Sequence, residues 1–514
     1  MPDTARRRGW ANRWSRAAPL ALACALGAVA ALGQAPWSLW PLSIAAFAGL
    51  YGLYIRAATW RRAAWLGLAG GAGYFALALS WIVEPFLIDI ARHGWMAPFA
   101  LLLSAVGFAL FWALAQGVAR ALMPGGVGWM RGAALVWIAS LTLCEALRGW
   151  LLTGFPWAQP GHALIDTAML GWSAVGGALP LTALVLGAAV ALWHVARGRR
   201  LMGAAALAGF AALYAVAPML DRAPAPAADA PIIRIVQPNV PQEQKWDPAY
   251  MGFHYDRQMD LTAAPGTPDL IVWPETALPV LLNRAEETLR DIAAAARGVP
   301  MVLGVQRADG ARYYNSMILT DGAGRQTALY DKHHLVPFGE YMPLGDLAAR
   351  FGLRGLAQQY GNGYSAGPGP QMMDLGALGR AVPLICYEGV FARDVAGAPG
   401  RADMLLLLTN DAWFGEVSGP YQHLAQARLR SAEQGLPMIR AANTGVSAMI
   451  DAAGQITAQI SLGEAGYIDA ALPPPAPPTP YARTGDWPAL LLLALMAIVP
   501  AALQRRKNRT LPTA

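Results

Sequence analysis

Val382-Pro383-Leu384-Ile385-Cys386-Tyr387-Glu388 runs from an apolar stretch straight into a thiol, a phenol and a carboxylate. A continuous apolar run of roughly four to eight residues reads as a strand buried on both faces. The same junction recurs on either side in the sequence. Leu270 to Trp273 runs into Pro274-Glu275, and Met404 to Leu408 runs into Thr409-Asn410-Asp411. Ile232 to Val236 and Met301 to Val305 read as two further buried strands. Ala285 to Ala296 and Gln422 to Gly435 read as helices. Strands alternating with helices define an α/β domain, whose site gathers where side chains leave the carboxyl ends of the strands.

Two linkers frame this domain. Asp221 to Pro231 is rich in Ala and Pro, and Pro473 to Pro480 is almost all Pro, which makes a stiff, extended spacer. The sequence therefore divides at 1–220, 221–486 and 487–514.

The outer parts have a different chemistry. Of 514 residues, 55% are hydrophobic and only 14% are charged, against roughly 25% charged in an average soluble chain. A spanning helix needs about 20 mostly apolar residues. Candidate spans cover 17–34, 37–55, 63–83, 95–119, 132–151, 171–196, 201–218 and 488–504, about eight in all. Arginines cluster in alternate loops. Arg6, Arg7, Arg8, Arg13 and Arg16 precede the first span, and Arg56, Arg61 and Arg62 follow the second. Arg120 and Arg131 follow the fourth, Arg197, Arg199 and Arg200 the sixth, and Arg505, Arg506, Lys507 and Arg509 the last. Positive loops stay in the cytoplasm, so both termini are expected inside and the segment from Asp221 to Trp487 outside. The net charge of +7 is thus topology-setting. No nucleic-acid motif accompanies it, so no nucleic-acid partner is expected. Glu145 and Arg148, near the outer end of the fifth span, either bind a headgroup or pair with each other one helical turn apart.

There are three cysteines. Cys24 and Cys144 fall in expected spans. Cys386 stands alone in the outer domain, which makes it either a reactive thiol or a small buried hydrophobe. His333-His334 is not expected to hold a metal, because adjacent side chains diverge and no further ligand is suitably spaced.

Three segments acquire meaning together: Trp273-Pro274-Glu275-Thr276-Ala277, Tyr330-Asp331-Lys332-His333-His334-Leu335-Val336-Pro337-Phe338-Gly339-Glu340-Tyr341, and Ile385-Cys386-Tyr387-Glu388. They resemble the Glu-Lys-Cys triad of the nitrilase superfamily. The closer resemblance is to its membrane-embedded apolipoprotein N-acyltransferase family, which joins such a domain to eight spans. Further matching segments are Val236-Gln237-Pro238-Asn239 with Lys245-Trp246, Asn410-Asp411-Ala412-Trp413-Phe414-Gly415, Arg440-Ala441-Ala442-Asn443-Thr444-Gly445, Tyr481-Ala482-Arg483-Thr484-Gly485 and Gly154-Phe155-Pro156-Trp157.

The resemblance implies a membrane α-helical bundle plus an αββα sandwich outside the cytoplasm of a bacterial inner membrane. It implies acyl transfer from a membrane phospholipid to a diacylglyceryl-modified apolipoprotein, the last step of lipoprotein maturation, by a monomer without metal, nucleotide or redox cofactor. Cys386 would be the nucleophile. A thiol gains from an adjacent base, and Glu275 is the candidate. Lys332 would place a fixed positive charge beside the oxyanion, where one such donor is worth about 3 kcal/mol. By resemblance, Glu340 supports Lys332, and Tyr387 and Glu388 shape the pocket. A purely structural hydrogen-bonding role for these three stays open. Trp246 and Trp413 are weaker candidates for lining an acyl or headgroup path.

Two other readings share these residues: a membrane-tethered amidase that passes the acyl group to water, and a scaffold whose outer domain only binds. Between Glu340 and Cys386, Leu344 to Tyr360 is amphipathic and basic, and Gly361 to Gly369 is rich in Gly and Pro. It reads either as a gate dipping into the lipid interface or as an ordinary surface helix.

Overall fold

The computed structural model describes residues 3–123, 130–221, 223–343 and 363–510. The candidate gate at Leu344 to Tyr360 lies outside the described residues. The chain forms two compact units. One comprises Met1–Val83, Trp95–Leu220 and Thr484–Ala514; the other comprises Glu84–Gly94 and Asp221–Arg483.

Helices of ten residues or more are numbered in chain order. The first unit holds α1 (Asp3–Ala31), α2 (Trp40–Ile55), α3 (Trp60–Ala78), α4 (Ala97–Leu122), α5 (Met130–Trp150), α6 (Ala178–Ala196) and α7 (Arg200–Val216). Every expected span carries an apolar helix, but the lengths differ. Among the described residues, five stretches are long and apolar enough to cross a membrane: Ile90–Leu122, Gly132–Trp150, Ala178–Ala196, Arg200–Leu220 and Trp487–Arg506. A bent pair that begins with Trp60–Ala78 makes a sixth, while Ala17–Ala31 and Trp40–Ile55 are shorter apolar helices. The sixth expected span, 171–196, starts later than its hydropathy suggests. Gly177 has φ 75° and interrupts the helix, so Ala168–Trp172 and Ser173–Gly176 are separate turns.

Small residues set the helix spacing. A Cβ on Gly73 would lie 1.9 Å from the carbonyl oxygen of Cys24, so α1 and α3 meet backbone to backbone, as small-residue contacts allow in lipid. Glu145 and Arg148 are both buried and paired with each other. Trp112 Nε1 donates to Glu145 at 2.7 Å, and the Arg148 guanidinium lies 4.9 Å from the Phe75 ring centre. These contacts make the pair a packing element of the helical unit.

The second unit is built on two six-stranded sheets. The first has the order β12-β1-β2-β3-β4-β5, with β1 (Ile232–Gln237), β2 (Leu270–Val272), β3 (Met301–Asp309), β4 (Arg312–Thr320), β5 (Gln326–Asp331) and β12 (Gly466–Ala471). The second has the order β11-β10-β9-β8-β7-β6, with β6 (Met373–Asp374), β7 (Arg380–Ile385), β8 (Met404–Thr409), β9 (Met438–Ala442), β10 (Ser447–Ile450) and β11 (Ile456–Ile460). Each has a parallel centre, β1-β2-β3 and β7-β8-β9, flanked by antiparallel strands.

Side-chain alternation explains the layers. Met404, Leu406 and Leu408 of β8 join Ile233, Ile235 and Val272 in the core between the sheets. Leu405 and Leu407 point the other way, into a cluster with Leu424 and Ala427 of α10 (Gly419–Gln434). On the far side, Val236, Ile271 and Trp273 pack with Leu289 and Ile292 of α9 (Glu286–Ala295), and α8 (Pro248–Ala263) covers the same face. The result is the expected αββα sandwich. The five buried strands sit where the apolar runs placed them. α10 begins before its expected start because Gly419-Pro420 opens it, and it closes on Gly435 in the left-handed conformation. After Thr484, the chain enters α11 (Trp487–Thr510) of the first unit.

Candidate active site

The three candidate catalytic residues each lie just past a strand end: Glu275 three residues after β2, Lys332 directly after β5 and Cys386 directly after β7. All three are buried, Cys386 at 6% exposure and Lys332 at 1%. Cys386 has φ 49°. A non-glycine residue rarely adopts that region. Here it ends β7 in a sharp turn and starts the helical turn Cys386–Val390, so the thiol leaves the sheet at the strand end.

Lys332 is the centre of charge. Its Nζ lies 2.9 Å from Glu340 and 3.9 Å from Glu275 Oε1. Asn315, on β4, ties the two carboxylates together: its Nδ2 donates to Glu275 Oε1 at 2.6 Å and to Glu340 Oε1 at 3.2 Å. Glu340 Oε2 also accepts from the Val336 N–H at 2.8 Å, which folds the loop after Lys332 back on itself. Burial works against the Lys332 ammonium, but Glu340 and Glu275 outweigh it and hold its pKa above the usual value. Burial raises the Glu275 carboxyl above its ordinary range; Lys332 opposes the shift, and Glu340 adds to it. Burial also pushes the Cys386 thiol well up; Glu275 adds to this, and Lys332 opposes it. Burial thus favours the neutral form of the Cys386 thiol and raises the proton affinity of the Glu275 carboxyl, and a thiol in such a pair reacts only with a general base to take its proton.

Glu388 is a strut. Its Oε1 accepts from Tyr330 Oη at 2.8 Å, His333 N at 2.8 Å and His334 N at 3.2 Å. Its Oε2 accepts from Ile385 N at 2.7 Å. It thereby fastens the turn at Cys386 to the loop after Lys332. Tyr387 packs edge-on to Phe391 at 4.8 Å and to His334 at 5.4 Å. Trp246, half-buried, shares a small cavity with Glu275 and Lys245. Trp413, also half-buried, lies in the turn Asp411–Phe414 and does not line that cavity.

The expectation for His333 and His334 needs correction. Their side chains do not diverge: His334 Nδ1 is 2.6 Å from Asp394, and His333 Nε2 is 3.7 Å from the same carboxylate. The chain has left β5 at this point, so no pleat forces neighbouring side chains to opposite faces. Burial opposes the His333 imidazolium, but Asp394 and Glu388 raise its pKa to about 9.

Asn315 and His423 carried no signal in the sequence, and Lys245 stood in a matching segment with no role attached to it. Asn315 is one amide in an antiparallel strand. Lys245 Nζ donates to the Glu275 carbonyl at 3.2 Å and to Thr276 Oγ1 at 2.7 Å; burial lowers its pKa to about 8, while Glu275 opposes the shift. Behind Cys386, His423 of α10 reaches the Cys386 carbonyl oxygen with Nε2 at 3.2 Å, and its Nδ1 is 2.9 Å from Asp411. Asp411 also accepts from Arg440 at 2.6 Å and from Thr409 Oγ1 at 2.8 Å. Burial would raise the Asp411 pKa, but Arg440 and His423 hold it well below the usual carboxylate range. Asp411 and Arg440 stand in motifs visible in the sequence; their pairing was not visible.

A two-sheet sandwich with a thiol, a carboxylate and a lysine at its strand ends, joined to a helical unit, defines the class: a carbon-nitrogen hydrolase domain on a membrane protein. The family model for carbon-nitrogen hydrolase matches residues 233–476, and that for the apolipoprotein N-acyltransferase N-terminal domain matches residues 26–191. The chain is 36% identical over 506 residues to the apolipoprotein N-acyltransferase of Caulobacter vibrioides, covering 94% of each chain. It is 36% identical to that of Rhodopseudomonas palustris over 95% of each chain, and 40% identical to that of Rhizobium etli over 79% of each. Among solved structures, XC1258 of Xanthomonas campestris, a CN-hydrolase superfamily protein, is 22% identical with a TM-score of 0.34, covering 51% of this chain and 96% of that one. The chain belongs to the apolipoprotein N-acyltransferase family.

Proposed function

We propose that this protein transfers an acyl chain from a membrane phospholipid to the α-amine of the diacylglyceryl-modified N-terminal cysteine of apolipoproteins, through a thioester on Cys386. The observation that carries the reading is the buried convergence of Glu275, Lys332 and Cys386 in a chain of this family.

In the first half-reaction, Glu275 takes the Cys386 proton as Sγ attacks the ester carbonyl carbon of the donor. The oxyanion that forms lies beside the Lys332 ammonium, with the backbone N–H after Cys386 as a second donor. The carbon–oxygen bond breaks, and Glu275 returns its proton to the departing lysophospholipid oxygen. In the second half, the acceptor amine attacks the thioester and Glu275 receives a proton from it. The carbon–sulfur bond breaks, and the thiolate regains a proton. One site serves two substrates in turn, so ping-pong kinetics follow.

Glu340 keeps Lys332 charged and in place. Glu388 and Tyr387 position the nucleophile turn, and Trp246 and Trp413 border the approach of the substrates. In this reading residues 1–220 and 487–514 are membrane domain, and residues 221–486 are a periplasmic catalytic domain. Both termini are cytoplasmic, which the arginine-rich loops support. The enzyme acts as a monomer in the bacterial inner membrane.

The test is the mass of a synthetic diacylglyceryl-Cys peptide after incubation with purified protein and phospholipid. The expected gain is one acyl group, present with the intact thiol and absent with Cys386→Ser. Release of free fatty acid with an unmodified peptide would instead make the protein a hydrolase.

A further inference from the structure

The helical unit contains a groove of about 650 Å³ between α5, α6 and α7. Its walls are apolar and small: Gly187, Ala191, Ala206, Gly209, Phe210 and Leu213 are among them. An added Cβ on Gly187 or Gly209 would meet nothing within 4 Å, so both glycines leave open space where side chains would otherwise pack. Leu184 to His194 on α6 spans about 15 Å along the helix axis, room for a large part of an extended acyl chain.

One end of this groove is polar. His194, 5% exposed, lines it, and its Nδ1 has no hydrogen-bond partner among the described residues. Arg199 also lines it and is exposed. The Arg199 N–H donates to the His194 carbonyl oxygen at 3.0 Å, which closes the end of α6 and brings the two side chains to one corner. Tyr51 packs edge-on to the His194 ring, 6.4 Å between centres, and its buried hydroxyl likewise has no partner among the described residues. A buried polar atom without a partner costs free energy comparable to a lost hydrogen bond. An ionisable side chain within a span is therefore a reason to look for a ligand.

We propose that this groove binds one anionic phospholipid, with an acyl chain along Gly187 and Gly209 and the phosphate at His194 and Arg199. Charge complementarity selects the occupant. An apolar groove alone accepts any lipid tail, whereas a cation and an unfilled imidazole at its end favour an anionic phosphate. Basic pockets between spanning helices on the cytoplasmic side bind anionic headgroups in this way. The arginine-rich stretch Arg197 to Arg200 gives this end the positive-inside signature. None of these residues takes part in the acyl-transfer chemistry, so the site stands whether or not that chemistry is as proposed.

Native mass spectrometry of the full-length protein in detergent, titrated with phosphatidylglycerol or with phosphatidylcholine of the same chains, tests this. One phosphatidylglycerol should bind in preference to phosphatidylcholine. Arg199→Gln should weaken it about fivefold, and Arg199→Lys should restore most of the loss. His194→Phe should also weaken phosphatidylglycerol, and Gly187→Leu should weaken both lipids by filling the groove. Gly209→Leu repeats the groove test if Gly187→Leu does not fold. Equal binding of the two lipids, or binding unchanged by both Arg199→Gln and a folded groove-filling variant, would overturn the proposal.

Discussion

Two of the buried charge clusters in the sandwich domain are built to opposite ends. Around Lys332, two carboxylates compete for one ammonium, and burial leaves Glu275 with a pKa above its ordinary range. Around Asp411, one carboxylate is shared by Arg440, His423 and Thr409, and its pKa is driven down. The first cluster holds a carboxylate ready to accept a proton; the second holds one that will not. Cys386 sits where they meet. Its thiol lies in the field of Glu275 and Lys332, and its carbonyl oxygen is held by His423. In the proposed reaction, reactivity comes from two carboxylates competing for one cation, and rigidity from one carboxylate shared by several donors.

Removal of the nucleophile should have the largest effect. Cys386→Ala should lower acyl transfer at least about a thousandfold, with the melting temperature little changed, as measured by peptide acylation beside a thermal melt. If the second cluster is the rigid one, breaking it should act on stability. Asp411→Ala leaves Arg440 buried without its counter-ion and should cost about 3–5 kcal/mol, read by denaturant unfolding. The sign with pH follows from the depressed Asp411 pKa. Its stabilisation is present above the ordinary carboxylate range and is lost as pH falls through its lower folded value. In Asp411→Ala that part of the acid sensitivity should vanish.

Breaking the first cluster should act on rate instead. Lys332→Met should lower kcat by about 10²–10³ and destabilise the fold less than Asp411→Ala, because Glu275 and Glu340 can take up protons once the ammonium is gone. A loss of stability equal to that of Asp411→Ala would erase the distinction between the clusters. The smallest effect sharpens it. Asn315 donates to Glu275 and lowers its pKa, so Asn315→Leu should move the acid limb of the pH–rate profile to higher pH. An acid limb that stays in place would remove Glu275 as the group that must be ionised.

The sequence made one cluster far more legible than the other. Glu275 and Cys386 each follow an apolar strand, where a polar residue stands out, and Lys332 and Glu340 share one recognisable segment. The spans were legible for the same reason: long apolar runs carry their own signal, although the break at Gly177 shows that hydropathy does not fix a helix start. Asn315, His423 and the role of Lys245 were hidden because each is an ordinary polar residue in its own element. They become part of the site only when β4, α10 and the segment before α8 are brought to the ends of β2 and β7. Long-range placement of that kind has no local pattern. The convergence of His333 and His334 on Asp394 was misread because it depends on the chain having already left its strand.

In the proposed reaction Cys386 carries the acyl group between donor and acceptor. The intact mass of the protein after incubation with phospholipid alone is the decisive measurement. The expected result is a gain of one acyl chain on Cys386, discharged when a diacylglyceryl-Cys peptide is added. An active protein that never carries an acyl group on Cys386, even with the acceptor withheld, would contradict it.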